Sequence, residues 1–404
     1  MNNAATPLAQ YAHAPLMILI ALCLMIQPLS TDLYLASLPG LATTFGVAPS
    51  VVQLTLSLFV VGFGAAQLVI GPLSDRFGRR PVLLGGLGLY LAASALCAFA
   101  SSIELLIFAR FLQALGCCSA VIIARAIVRD AYAPEDSAKV IARASSWLSL
   151  APLFGPIAGS YLQVGFGWRA AFVALGAFSA GLLILVLLRL PETNAHKDPR
   201  ATETGGLLAN YRLVLGAREF WAYMLPGAFS YGAIFCFISG SSVILIRVLQ
   251  VPTAHFGYIY AMGVAGYTLG TLLCRRLLPR LGMLATLRIG ASVSFASGTL
   301  FLAAVLLGIA HWSLIVAAMF FTMGAHGIIF PVSQSGSVSP FPKQAGTAAG
   351  LAGALFMVVA FFVGTAVGAS YDGSLLPLAL ISCTLSLLIF SAVRGLPSTV
   401  ARAA

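Results

Sequence analysis

The sequence predicts an all-α, polytopic membrane protein whose twelve transmembrane helices form two six-helix bundles. Three observations carry that expectation. The 404 residues are 60% hydrophobic and only 8% charged, with a mean hydropathy of +0.99, far from the roughly one-quarter charged residues of soluble domains. Apolar runs of bilayer-crossing length, roughly 20 residues each, recur between short charged or Pro/Gly-containing breaks. One long polar stretch, from Pro191 to about Ala217, divides those runs six from six; with Glu192, Thr193, Asn194, His196, Asp198 and Pro199 it is too polar to cross lipid.

Taken in order, the runs place spans near 16–38, 52–73, 82–100, 104–126, 138–162 and 169–190, then 219–246, 254–275, 284–308, 312–336, 345–371 and 374–393. The expected organisation is an N-terminal bundle over 1–193, a central cytoplasmic loop over 194–217 and a C-terminal bundle over 218–404. An even number of spans puts both termini on one side, and positive charge chooses the side. Arg76, Arg79 and Arg80 follow span 2, Arg129, Lys139 and Arg143 span 4, Arg189, Lys197, Arg200, Arg212 and Arg218 span 6, and Arg275, Arg276, Arg280 and Arg288 span 8. The opposite loops offer mainly Arg169 and Arg247, so both termini are expected in the cytoplasm. The net charge of +11 is thereby an orientation signal, and no nucleic-acid partner is expected. An internal echo supports duplicated halves: Gly71, Leu73 and Arg76 after span 2 match Gly270, Leu272 and Arg275 after span 8, although Cys274 stands where the first half has Asp75.

Other chemistries find little support. The seven cysteines lie in apolar stretches without Cys-x-x-Cys or a His at ligand spacing, so no metal is expected. No Walker sequence, HExxH or nucleophile motif occurs, so neither an enzyme nor ATP-driven transport is indicated, and no cofactor is expected. No Lys or Arg precedes the first apolar run, which reads as a retained span rather than a signal peptide.

Because charges cluster at span ends, a charge inside a span stands out. Asp32, in Leu29-Ser30-Thr31-Asp32-Leu33-Tyr34, costs roughly 2.5–3.5 kcal/mol to insert and must be protonated or paired. It sits about six residues, or some 9 Å at 1.5 Å per residue, from the outer end of span 1. Arg110 in span 4 lies at nearly the same depth, so the two are candidates to interact and to serve proton coupling. A bland alternative has Asp32 snorkelling to the outer interface or capping a helix break near Pro28, and Arg110 clamping backbone carbonyls of a broken span 1.

The most specific segment is Gly71-Pro72-Leu73-Ser74-Asp75-Arg76-Phe77-Gly78-Arg79-Arg80. Gly78 permits a tight turn, and Asp75 with the arginines can lock the loop to neighbouring helix ends. This segment resembles the loop 2–3 signature of the major facilitator superfamily. Arg110-Phe111-Leu112-Gln113-Ala114-Leu115-Gly116 resembles its fourth-span arginine motif, with Ala114 where Gly is usual. Ala151-Pro152-Leu153-Phe154-Gly155-Pro156-Ile157-Ala158-Gly159 resembles its fifth-span Gly-Pro motif, associated with drug–proton antiporters. With Ser30 to Pro39, Val128 to Tyr132 and Gly167-Trp168-Arg169, and more thinly Pro340 and Ala345 to Ala348, the chain is similar to the bicyclomycin/chloramphenicol resistance (Bcr/CflA-like) branch. Ala36, where that branch commonly has Pro, leaves the bend of span 1 open.

The resemblance implies a proton-driven antiporter that exports drugs, of which chloramphenicol and bicyclomycin are the implied examples, from the bacterial inner membrane as a monomer. Physically, a pair like Gly155-Pro156, with Gly159 a turn later, bends a helix at a close seam. Gly71, Asp75, Arg76, Gly78, Arg79, Arg129 and Asp130 are the expected conformational latch. Candidate pocket residues are Tyr34, Phe59, Gln113, Trp147, Tyr260 and Tyr267, together with Tyr231, Phe235 and Ser239, which recur every four positions in span 7. His326, Gln334 and Ser335 lie in span 10, where His326 either shuttles protons or bonds a neighbouring helix. A proton-coupled nutrient importer uses the same architecture, so direction rests on the resemblance. A membrane sensor is disfavoured by the lack of any soluble domain beyond the central loop.

Overall fold

The computed structural model describes residues 13–132, 140, 150–195 and 197–396, and regular structure among them is helical throughout. Span 1 is broken where the polar residues fall. Helix α1 (His13–Asp32) ends at Asp32, a 3₁₀ turn follows (Leu35–Ser37), and α2 (Leu38–Phe45) completes the crossing. Pro28 supplies no N–H to the helix. Ser30 Oγ donates to the Ile26 carbonyl at 2.5 Å and Thr31 Oγ1 to the Pro28 carbonyl at 2.9 Å, diverting the last turn's acceptors to side chains. The bend left open by Ala36 is thus made by Pro28 and two hydroxyls.

Next come α3 (Pro49–Phe77), α4 (Arg79–Ala98), α5 (Ile103–Ala131), α6 (Leu150–Phe166) and α7 (Arg169–Arg189). The first part of predicted span 5 lies outside the described residues. After α8 (Thr204–Gly216), the second half holds α9 (Arg218–Val243), running into a π turn (Ile244–Val248), then α10 (Thr253–Leu306), α11 (Trp312–Val338), α12 (Ala345–Ala369) and α13 (Leu376–Arg394). At 54 residues, α10 is too long for one crossing. Its two arms meet at Gly282, whose φ of 76° and ψ of 176° are not helical, and each arm of roughly 40 Å suffices for a core of about 30 Å. Counted this way, the described helices account for eleven of the twelve predicted spans and for the second part of span 5.

Helices α1 and α3–α7 pack on one another, as do α9–α13, and the halves meet chiefly along α3 with α12 and α6 with α10. Outward faces carry large apolar side chains, Leu188 at 75% and Leu300 at 69% exposure among them; such surface suits hydrocarbon as the solvent. Polar groups turn inward instead, and they define the site.

Candidate functional site

Asp32 is the carboxylate at the break of span 1, and only 3% of its surface is exposed. Thr31 Oγ1 donates to its Oδ1 at 3.0 Å. Helix α6 seats directly behind it: a Cβ placed on Gly155 would lie 3.1 Å from Asp32 Cβ, and one on Gly159 would strike the Leu33 carbonyl oxygen. Gly155 and Gly159 are therefore the surface on which the broken helix rests, while the Pro156 carbonyl faces Gly257 of α10. From the second half, Tyr231 on α9 and Tyr260 on α10 come within electrostatic range of Asp32, with Gln27 at the Tyr231 hydroxyl. The carboxylate thus stands where the halves face each other.

Arg110 lies elsewhere in the first half. Its Nη1 donates to Gln113 Oε1 at 2.5 Å and its Nε to the Thr55 carbonyl at 3.4 Å. Its guanidinium carbon sits 4.2 Å from the centroid of Phe59, 5.1 Å from that of Tyr34 and 5.8 Å from that of Phe172. This cage of ring faces holds a buried cation without a carboxylate. The ion pair suggested by equal depth is not formed: Asp32 and Arg110 have no contact within 4 Å, because depth along two helices does not set the direction in which side chains leave them.

What links the two is a ring of hydrogen bonds. Gln113 Nε2 donates to Ser94 Oγ at 2.8 Å, Ser94 Oγ to the Tyr90 carbonyl at 2.7 Å, and the Tyr90 hydroxyl meets Ser30 Oγ at 2.6 Å. On the other side, Tyr34 and Thr55 hydroxyls bond at 2.7 Å. These bonds begin and end on span 1, two residues before and two after Asp32. Tyr90, Ser94 and Thr55 escaped sequence reasoning because single hydroxyls in apolar spans carry no pattern.

The pocket candidates separate into groups. Tyr34, Phe59 and Gln113 surround Arg110. Phe235 and Ser239 lie in the seam between α3, α9 and α12, where Gln53 Nε2 donates to the Ser239 carbonyl at 2.5 Å and Phe235 abuts Gly364. Tyr231 and Tyr260 remain within electrostatic range of Asp32, and Tyr231 and Tyr267 flank His326 at ring-centroid distances of 6.0 and 5.9 Å. Trp147 lies outside the described residues. At the end of the bundle opposite the Gly78 turn, further bonds join the halves: Arg247 to the Pro39 carbonyl, the Gly257 N–H to Ser160 Oγ at 3.0 Å, and Tyr161 to Tyr258 at 2.9 Å.

At the Gly78 end, three of the expected latch residues, Asp75, Arg79 and Asp130, meet. Arg79 Nε donates to Asp130 Oδ2 at 2.8 Å, while its Nη1 donates to Asp75 Oδ1 at 2.5 Å and to Ser74 Oγ at 2.7 Å. Ser74 Oγ also donates to the Gly71 carbonyl at 2.9 Å, Arg76 bonds Thr202 at 2.5 Å, and Arg129 is exposed on the last turn of α5. Gly78 adopts φ 106°, a region costly for any residue with a Cβ. Sequence reasoning missed Glu192, which read as part of a linker. Its carboxylate accepts the N–H groups of Arg79 at 2.8 Å and Arg80 at 3.3 Å, capping α4, as well as those of Thr193 and Asn194. Asn194 Nδ2 and the Asp198 N–H then donate to the Asp75 carbonyl, both at 3.1 Å, and the Tyr211 hydroxyl of α8 donates to the Leu68 carbonyl at 3.0 Å. The central segment is docked on the latch rather than looped away from it. Glu192→Ala is expected to cost about 1 kcal/mol, as for other lost N-caps, and to lower the thermal midpoint in detergent; a Gly78→Ala protein should show a larger fall.

Among the described residues no group of three or more His, Cys, Asp or Glu side chains is placed to hold a metal ion. A broken first helix bearing a buried carboxylate, set between two helical halves, defines a polytopic membrane transporter rather than an enzyme. Residues 20–365 match the Major Facilitator Superfamily, and the chain belongs to that family. It is 28% identical to the bicyclomycin resistance protein homolog of Haemophilus influenzae, over 85% of this chain and 86% of that one. It is 32% identical to the chloramphenicol resistance protein of Pseudomonas aeruginosa, over 84% and 80%, and 27% identical to multidrug resistance protein D of Escherichia coli, over 84% and 85%. The resemblance to the bicyclomycin/chloramphenicol branch therefore extends over most of the chain. Among solved structures, the E. coli xylose transporter XylE in a partially occluded inward open conformation superposes with a TM-score of 0.71 at 16% identity, covering 95% of this chain and 98% of that one. The human organic anion transporter MFSD10 gives 0.69 at 20% identity, covering 94% and 99%. Both show the shared fold.

Proposed function

We propose that this transporter exports amphipathic, neutral or cationic small molecules in exchange for protons, from the bacterial inner membrane, as a monomer with both termini in the cytoplasm. The observation that carries the reading is Asp32, a carboxylate 3% exposed between the halves with no cation within 4 Å among the described residues. A carboxylate so placed takes up a proton or faces a cationic or hydrogen-bonding substrate, and both occupants compete for one group. Competition of that kind yields antiport, because proton and drug stabilise different charge states of one pocket. One inward proton supplies about 2.3 kcal/mol per 100 mV and about 1.4 kcal/mol per pH unit. The names of the relatives support phenicol- or bicyclomycin-like drugs as cargo.

In the cycle, the halves rock about Asp32. The bonds made by Gln53, Ser160 and Arg247 close the outer side, and the Arg79 cluster organises the cytoplasmic side. Expression in a pump-deficient bacterium should raise resistance to chloramphenicol and lower its accumulation, with an uncoupler abolishing both effects. Increased drug accumulation on expression would instead assign uptake, and unchanged accumulation across a broad drug panel would remove the export reading.

A further inference from the structure

His326, on α11, is 3% exposed and has no part in the proton cycle above. Its Nδ1 lies 3.0 Å from Ser230 Oγ on α9, a bond that fixes the ring's rotation and runs in either direction with the tautomer. The other nitrogen, Nε2, has no side-chain hydrogen-bond partner among the described residues. Three partly buried rings surround the imidazole: Phe330 at a centroid distance of 4.8 Å and an angle of 33°, Tyr267 at 5.9 Å and 30°, and Tyr231 at 6.0 Å and 60°. Tyr231 in turn lies within electrostatic range of Asp32.

A histidine serving packing alone fits this setting badly. Its ring neighbours would receive a phenyl ring equally well, and Ser230 is the one polar residue held against the imidazole by a hydrogen bond among the described residues. A ring nitrogen with no side-chain partner is open to a ligand, and the flanking rings favour a flat aromatic partner, which stacks offset or edge-on at these spacings. Resting on the export reading above, we propose that His326 contacts substrate: its Nε2 is the specificity-determining hydrogen-bonding group of an aromatic subsite, formed with Tyr231, Tyr267 and Phe330, for substrates that join an aromatic ring to a hydrogen-bonding substituent. Ser230 is its positioning residue.

The subsite distinguishes two kinds of aromatic cargo. Chloramphenicol carries nitro, amide and hydroxyl groups on or near its ring, whereas tetraphenylphosphonium is equally aromatic and offers no hydrogen-bonding group. Binding of each to the purified full chain tests the assignment. In His326→Phe, which keeps a ring in the box and leaves Ser230 free to bond its own helix, chloramphenicol affinity should fall roughly tenfold to a hundredfold, the range expected when a site loses a specific polar partner. Tetraphenylphosphonium affinity should change less than about threefold, which also reports that the variant is folded. His326→Gln, whose amide can replace the lost bond, should recover part of the chloramphenicol affinity. Unchanged chloramphenicol binding in His326→Phe overturns the subsite, and so does an equal loss of both probes, which assigns His326 to packing. Wild-type protein that binds neither probe overturns the subsite together with the export reading, whereas the other two results leave export standing.

Discussion

Asp32→Asn is expected to abolish uphill export while leaving the protein folded, inserted and able to bind neutral drugs. Asparagine keeps the volume of the side chain, the packing against Gly155 and an oxygen that can accept the Thr31 hydroxyl. What it removes is titration. A group 3% exposed is cheaper to bury as a neutral amide than as a carboxylate, so stability should be retained or raised. With 100 mV and one pH unit across the membrane, exchange of a neutral drug for one proton can sustain a concentration ratio of roughly 500-fold. Proteoliposomes containing the variant should sustain none, yet should still exchange labelled for unlabelled drug, since rocking of the halves does not need the charge. Retention of a proton-driven drug gradient by Asp32→Asn would remove Asp32 from the coupling step.

Gly159→Leu is expected to damage the structure severely. The added Cβ falls onto the Leu33 carbonyl oxygen, a backbone atom that cannot swing aside as a side chain can. Overpacking of a filled core costs typically 1–3 kcal/mol, and here the strain falls on the break that presents Asp32. Gly159→Ala already introduces the offending carbon, so its thermal midpoint should drop by several degrees, with Gly159→Leu yielding little folded protein. Gly165 on the same helix is the control, because a Cβ there meets nothing within 4 Å. Equal midpoints for Gly159→Ala and Gly165→Ala would mean that α6 does not seat against span 1 as described.

Much of this was legible in one dimension. Scarcity of charge and the recurrence of apolar runs were enough for the twelve spans, and the same scarcity exposed Asp32 and Arg110, both of which the structure buries. The break in α10 at Gly282 falls between the predicted ends at 275 and 284. What a sequence cannot supply is azimuth. Matching the depths of Asp32 and Arg110 said nothing of the Tyr34, Phe59 and Phe172 rings that receive the guanidinium. Tyr231, Phe235 and Ser239 read as one face, but each step of four residues turns a helix by about 40° beyond a full revolution and rises about 6 Å; Tyr231 consequently faces Asp32 while Ser239 closes the seam with Gln53. Glu192 was hidden for another reason. Its contact with the Arg79 N–H spans 113 positions, so the cap on α4 comes from outside any local capping pattern. Helix α8 was missed because Thr204-Gly205-Gly206 reads as loop; docking of Tyr211 and the fully buried Val214 holds it in place.

The central claim is that drug and proton compete for the single carboxylate at the break of span 1. It is tested most directly by adding chloramphenicol to purified protein in weakly buffered detergent solution and reading released protons with a pH indicator. The expected result is release approaching one proton per bound drug in the pH range where Asp32 is protonated in the free protein, with no release from Asp32→Asn at equal drug occupancy. Saturable binding without proton release by the wild-type protein at any pH, or the same release from Asp32→Asn, would contradict the account.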